Sequence, residues 1–162
     1  MKPSVFFEKY SNSAIEAQNK LGIPASITLA QAALESAWGE SELAKKSNNF
    51  FGIKDQSNDE WYGEFDTYKT REVINGQSVY INSNFRKYKN PTESFKDHAS
   101  FLLKNKRYKS LFELNPTDYK SWAFGLKNAG YATGTNYAQT LIALIENHKL
   151  YNYDLLALKK KD

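Results

Sequence analysis

Glu35 is a candidate for acid–base chemistry because of the residues that surround it. It lies in the stretch AQAALESAWG, residues 30–39, and it is the only ionisable side chain between Pro24 and Trp38. Apolar and aromatic neighbours disfavour the charged form of a carboxylate and so raise its pKa. A raised pKa suits a general acid that must stay protonated near neutral pH. The alternative interpretation is a glutamate at a helix end that reaches solvent, as most glutamates do.

Glu72 is a second carboxylate in an unusual setting. The dipeptide Asn75-Gly76 predicts a two-residue turn between two strands within residues 64–88. Such a turn places Glu72 opposite Val79, on the more apolar face of the predicted hairpin. The alternative interpretation is a charge on an edge strand that prevents pairing with other chains.

Two carboxylates of this kind are typical of enzymes that hydrolyse glycosidic bonds. One carboxyl group protonates the leaving oxygen, and the second either activates water or attacks the sugar. A separation of about 5–5.5 Å between the two carboxyl groups favours direct attack of the second one on the sugar, whereas about 6.5–9.5 Å leaves room for a water molecule between them. A helix end that faces a hairpin across a groove fits the wider separation.

Other catalytic chemistries find little support in the sequence. His98 and His148 stand alone, without an HExxH motif or a cluster of ligands at metal-binding spacing, and we interpret each as a surface or core histidine. The chain has no GxSxG motif and no glycine-rich phosphate loop. It has no cysteine, which excludes thiol chemistry and disulfides. The sequence implies no metal and no cofactor.

The composition is that of a globular domain with a mildly basic surface. The 162 residues are 41% hydrophobic and carry a net charge of +4, which favours an anionic partner. Because the 22 basic residues are scattered among 18 acidic ones, nucleic-acid binding is not favoured. No apolar run approaches the ~20 residues of a membrane span, so we expect no membrane insertion. No signal peptide is visible, which would suit a phage lysin or an excised domain.

The pattern of helical and strand signals predicts an α+β fold. Helical spacing of apolar residues covers most of the chain, and the one hairpin is inserted after the second helix. We predict a single domain over residues 1–155, with a hairpin lobe at about residues 60–88. Residues 156–162 are predicted to form a basic C-terminal tail.

Four blocks of the sequence, in this order, resemble the N-acetylglucosaminidases of glycoside hydrolase family 73. These are flagellar, autolysin and phage-type peptidoglycan hydrolases. The blocks are AQAALESAWG, SNNFFGIK, TREVINGQ followed by FRKYKNPTESFKDHASFL, and AGYATGTNYAQTLIALIE. The resemblance covers about residues 6–150. It implies a mostly helical, lysozyme-like fold and cleavage of the β-1,4 glycan strands of peptidoglycan after N-acetylglucosamine.

The resemblance also implies roles for individual residues. Glu35 would be the general acid, Glu72 the second carboxylate, and Tyr131 a catalytic residue that orients the N-acetyl group of the substrate. The remaining substrate-binding positions would be Trp38, Asn49, Phe51 and Tyr137. The expected partner is the glycan strand of peptidoglycan. We expect the protein to act as a monomer in the cell wall, the periplasm or the extracellular space.

Several alternatives remain open at the level of sequence. The acetamido group of the substrate could replace the second carboxylate, and Glu60 and Glu64 are weaker candidates for that role. A muramidase on the same fold would cut the other β-1,4 bond. A non-catalytic glycan-binding module would have no need of a desolvated acid, and a basic nucleic-acid-binding domain is a more distant alternative.

Overall fold

The computed structural model describes residues 2–56 and 59–161 and contains mainly helices with one antiparallel hairpin. The first three helices precede the hairpin: α1 (Pro3–Leu21), α2 (Ala25–Glu35) and α3 (Glu42–Ser47). The hairpin consists of β1 (Glu64–Ile74) and β2 (Gln77–Lys87). Then follow α4 (Pro91–Lys104), a 3-10 helix (Lys106–Glu113), α5 (Tyr119–Asn128), α6 (Tyr137–Asn147) and α7 (Tyr151–Lys160). The predicted α+β class is confirmed.

Helix α2 is the centre of the molecule. Every residue from Ala25 to Ala33 is buried, because α1, α5, α6 and α7 pack around the helix. Small residues at several of these positions allow neighbouring helices to approach closely. A helix that is apolar on nearly every side is expected in such a buried position.

The hairpin has the predicted register. Glu72 pairs with Val79 and Thr70 with Ile81, across a turn in which Asn75 and Gly76 both adopt positive φ. This turn matches the right-handed twist of two antiparallel strands. Most of the hairpin is exposed to solvent, and it packs on the helical part mainly at its base. The hairpin therefore forms a lobe beside the helical part, as expected.

The C-terminal boundary differs from the sequence-based prediction. Residues 156–160 do not form a separate tail, because α7 continues through them to Lys160 and buries Ala157 against the core. Asp162, the last residue of the predicted tail, lies outside the described residues. None of the helices in the described part of the chain is both long and apolar enough to cross a membrane.

Helix α7 is tied to the start of α2 by a buried carboxylate. The side chain of Asp154 accepts hydrogen bonds from the backbone N–H and the hydroxyl of Ser26, each at 2.7 Å. Gln18 of α1 joins the same cluster, donating to the Asp154 carbonyl and accepting from the N–H of Ala25. Burial raises the pKa of Asp154 to about 7, although the hydrogen bonds from Ser26 act to lower it.

This buried carboxylate predicts a pH dependence of stability. Because the folded-state pKa of Asp154 is raised, the folded protein holds this proton more tightly than the unfolded chain, and stability falls as pH rises from about 4 to about 7. We expect Asp154→Asn, a neutral isostere, to lack this loss. The difference in unfolding free energy between the two proteins should change by up to about 4 kcal/mol across that range. Urea unfolding of both proteins at several pH values measures it, and a pH-independent difference would contradict the assignment.

Candidate active site

Glu35 is the last residue of α2, and the chain turns sharply immediately after it. The Ser36 hydroxyl donates to the carbonyl of Ala32 and accepts from the N–H of Gly39. Ala37 and Trp38 both adopt positive φ, a backbone conformation that is uncommon for residues other than glycine. The helix therefore ends at Glu35, and this leaves the carboxyl group at its C-terminus.

The Glu35 side chain lies on the wall of a groove of about 510 Å³. Solvent reaches it, yet protein atoms surround the carboxyl group closely enough that desolvation raises its pKa above 4.5. The carboxyl terminus of a helix carries a partial negative charge, which disfavours the ionised form further. The aromatic part of the groove wall comprises Phe51, Phe101, Tyr108 and Tyr131, and basic residues of the lining are Lys54 and Arg107.

Tyr131 stands in this groove as the sequence predicts. Gly130, with φ of 88°, makes the turn after α5, and the N–H of Tyr131 donates to the carbonyl of Leu126. The Tyr131 ring stacks on Tyr137, with centroids 5.9 Å apart. Burial, together with the nearby Tyr137 and Glu35, raises the Tyr131 pKa well above its ordinary value, so the phenol remains protonated and can donate a hydrogen bond.

A buried polar network supports this wall from behind. The side-chain amide of Gln31, one turn before Glu35, donates to the Tyr137 hydroxyl at 2.9 Å. Its carbonyl oxygen lies 2.9 Å from Nε2 of His98, which is fully buried and stacked on Phe51. Burial lowers the pKa of His98 to about 3, so the imidazole is neutral and its Nε2–H donates to Gln31.

Gln31 and His98, two members of this network, are not among the site residues that the sequence predicts. The available signal was a polar amide in an otherwise apolar helix, because a buried amide needs partners. Tyr137 is itself buried, so it supports the groove rather than forming its surface.

The Asn49 side chain makes its hydrogen bonds to backbone groups of the protein. Asn49 is 1% exposed. The amide group donates to the carbonyls of Ile53 and Arg86, and its oxygen accepts from the N–H of Gly52 and Ile53. Asn49 therefore fixes the loop after α3 and joins it to the base of the hairpin. The loop in turn places Phe51 in the groove wall, where it was expected.

Trp38 also lies elsewhere than expected. Its ring contacts Phe6, Phe7 and His148, and it is absent from the lining of the groove. The positive φ values at Ala37 and Trp38 direct the chain away from the groove after Glu35. Trp38 therefore packs against α1 at the edge of the core.

Glu72 forms an ion pair with Lys54, a residue of the groove lining. Its carboxylate lies 3.4 Å from the Lys54 Nζ and also accepts from the Thr70 hydroxyl. The Glu72 side chain is 35% exposed. The hairpin thus holds a second carboxylate next to the groove but not within its lining. Within residues 2–56 and 59–161, no group of three or more His, Asp or Glu side chains could hold a metal ion.

A helical core with an acid at the end of its central helix, beside a groove and a small hairpin, defines a lysozyme-like glycoside hydrolase domain. The chain belongs to the Glucosaminidase family, described as mannosyl-glycoprotein endo-beta-N-acetylglucosaminidase, which matches residues 11–150. This confirms the resemblance to glycoside hydrolase family 73.

Relatives and solved structures agree with this membership. The chain is 39% identical to exo-glucosaminidase LytG of Bacillus subtilis, over 93% of its own length and 53% of that protein. It is 34% identical to the peptidoglycan hydrolase FlgJ of Salmonella typhimurium, over 89% and 46%. The chain therefore spans about half the length of these relatives.

Two solved structures have the same fold. The catalytic domain of the autolysin Auto from Listeria monocytogenes superposes with a TM-score of 0.82 and 34% identity, covering 93% of this chain and 86% of that one. A C-terminally truncated glycoside hydrolase domain of Salmonella typhimurium FlgJ gives 0.71 and 33%, covering 91% and 98%.

The buried network predicts a stability difference between two tyrosine variants. Tyr137→Phe leaves the buried amide of Gln31 without its acceptor, which should lower the unfolding free energy by about 1–3 kcal/mol. Tyr119→Phe is the matched control, since its hydroxyl donates to Glu146 at an exposed site and its loss should cost about 0.5 kcal/mol or less. Denaturant unfolding compares them, and equal losses would show that the Gln31 contact does not stabilise the fold.

Proposed function

We propose that this chain hydrolyses the β-1,4 bond that follows N-acetylglucosamine in peptidoglycan, with Glu35 as general acid. The observation that carries the proposal is the position of Glu35: it ends a helix that is buried from Ala25 to Ala33, lies in the wall of a groove, and has a raised pKa. Membership of the Glucosaminidase family supplies the class of substrate. The names of LytG and FlgJ, a glucosaminidase and a peptidoglycan hydrolase, point to the same substrate.

In the proposed reaction, Glu35 donates its proton to the glycosidic oxygen as the bond to the sugar breaks. The positive charge that develops on the sugar ring is stabilised by a second carboxylate, which also activates the water. Glu72 is the proposed second carboxylate. Its ion pair with Lys54, at 3.4 Å, links the hairpin to a lining residue of the groove.

Tyr131 is proposed to orient the N-acetyl group of the substrate. Its hydroxyl is a hydrogen-bond donor because its pKa is raised, and stacking on Tyr137 restricts the ring. The Gln31–His98 pair fixes Tyr137, so the wall is preorganised before the substrate binds. Phe51 is proposed to supply an apolar contact in the same wall.

The proposed setting is the cell wall, the periplasm or the extracellular space, with the protein acting as a monomer. The net charge of +4 favours an anionic wall polymer, and this attraction should weaken as salt rises.

Glu35→Gln tests the central role directly. The amide cannot donate a proton to the leaving oxygen, so we expect hydrolysis of purified peptidoglycan to fall about 100-fold or more, with the fold unchanged by circular dichroism. In the wild type, activity should fall as pH rises through the Glu35 pKa, which lies above 4.5. Glu40→Gln is the control, since Glu40 is an exposed residue near the same helix end that pairs with Lys45.

Borohydride reduction and mass spectrometry of the released fragments identify the bond that is cut. Reduced N-acetylglucosamine at the new ends supports the proposal, whereas reduced N-acetylmuramic acid would identify a muramidase on the same fold. Full activity of Glu35→Gln would remove the acid assignment. A wild-type protein that creates no new ends would indicate a non-catalytic glycan-binding module.

Glu72→Gln tests the second carboxylate. If Glu72 activates water or stabilises the transition state, kcat should fall about 100-fold with little change in KM. Glu64→Gln tests the weaker candidate at the start of the same hairpin and should retain activity if Glu72 has the role. Proton NMR of the first anomer released then separates inversion from retention. Wild-type kcat in Glu72→Gln would assign its role to the acetamido group of the substrate.

A further inference from the structure

A second cavity of about 760 Å³ adjoins the groove that contains Glu35. It lies between α4 and the segment 59–63 that leads into the hairpin. The cavity and the groove share Asp59, Phe101 and Asn105 in their walls, so the two adjoin. A polymer bound across Glu35 has this cavity as its neighbour on one side.

Trp61 in this cavity is held in a fixed position by three contacts. Its indole N–H donates to the carbonyl of Glu64 at 2.9 Å. The guanidinium of Arg86 lies 5.0 Å from the ring centroid, and the ring packs edge-on against Tyr88 at 5.4 Å. A large aromatic side chain that is already immobilised loses little conformational entropy when a ligand stacks on it.

Gly63 is needed for this arrangement because it has no side chain. A Cβ atom at position 63 would lie 2.3 Å from Cζ2 of Trp61, far inside van der Waals contact. The φ angle of Gly63 is not in the left-handed region, so backbone freedom does not explain the glycine. The glycine provides the space that the indole ring occupies.

The polar groups of the cavity suit a neutral ligand. Arg86 is paired with Asp97 at 2.8 Å and with Asp59 at 3.2 Å. The lining also contains Glu60 and Lys104, so its acidic and basic groups nearly balance. The buried Nε–H of Arg86 has no acceptor among the residues that the structure describes. Ser100 and Asn105 add uncharged donors and acceptors to the lining. An aromatic platform beside uncharged hydrogen-bonding groups fits the apolar face and the hydroxyls of a sugar ring.

We propose that this cavity is a distal subsite that binds a β-1,4-linked N-acetylhexosamine unit of the glycan, away from the bond that is cut, with Trp61 as its platform. The inference rests on the proposed function for the identity of the polymer. Binding energy gained far from the reacting bond accelerates the reaction of long substrates and is lost with short ones. The cavity therefore makes the enzyme selective for long glycan strands.

The kinetic test compares Trp61→Ala with the wild type on long, peptide-free glycan strands and on the shortest fragment that is still cleaved. We expect kcat/KM to fall about tenfold on the long strands and less than about twofold on the short fragment. Trp61→Phe keeps a smaller platform and should lie in between. Gly63→Ala should reproduce the loss by displacing the ring, and Phe124→Ala, which removes an exposed aromatic ring on α5, is the control.

The binding test does not depend on hydrolysis. In the Glu35→Gln background, chitohexaose should change the tryptophan fluorescence more than chitobiose does, and Trp61→Phe should abolish the change. The fluorescence of Trp38 and Trp122 should stay constant when the ligand binds, because Trp38 packs on α1 and Trp122 is fully buried.

The outcomes separate this subsite from the proposed function. Equal loss on long and short substrates, or a hexaose signal that survives Trp61→Phe, would overturn the subsite while leaving the hydrolase assignment intact. A length-dependent fluorescence change that needs Trp61, in a wild-type protein that does not hydrolyse glycan, would support the subsite and reject the hydrolase.

Discussion

The structure depends on burying α2 on all sides while presenting one carboxylate at its end. A helix with apolar residues around its whole circumference must be enclosed by other helices, and α1, α5, α6 and α7 enclose this one. Its start is held by Asp154 and its end by the Ser36 hydroxyl, so both termini have hydrogen-bond partners. Glu35 is thereby placed by the most rigid element of the fold, in surroundings that favour its protonated form.

The same burial explains the polar network behind the groove. An amide within a fully enclosed helix loses its water contacts and must find partners inside the protein. Gln31 finds them in Tyr137 of α6 and His98 of α4, so three helices are joined at one point. His98 stays neutral at this depth, because an imidazolium without a carboxylate partner would be costly to bury. The network stabilises the fold and at the same time fixes the wall that carries Tyr131.

The sequence predicted those features that local patterns determine. The Asn75-Gly76 turn set the strand register, and the isolation of Glu35 among apolar residues indicated a desolvated acid. The roles of Trp38 and Asn49 could not be predicted in this way. The position of Trp38 close to Glu35 in sequence does not reveal that the backbone turns at Ala37. The position of Asn49 in a loop does not reveal that its side-chain amide hydrogen-bonds to backbone groups. These depend on tertiary contacts, as does the extension of α7, whose burial at Ala157 requires the rest of the core.

The two proposed catalytic carboxylates are held with very different rigidity. Glu35 belongs to the central helix, whereas Glu72 belongs to a hairpin that is exposed along most of its length and packed mainly at its base. The distance between them is therefore governed by the contacts at that base. There the Ser47 hydroxyl hydrogen-bonds to Asp66 and Tyr68, and the Asn49 side chain accepts a hydrogen bond from the N–H of Gly52. Elements with few buried contacts open more readily than the core. Under the proposed function, the hairpin is thus the element that would shift to admit a glycan strand, while Glu35 keeps its place in the core.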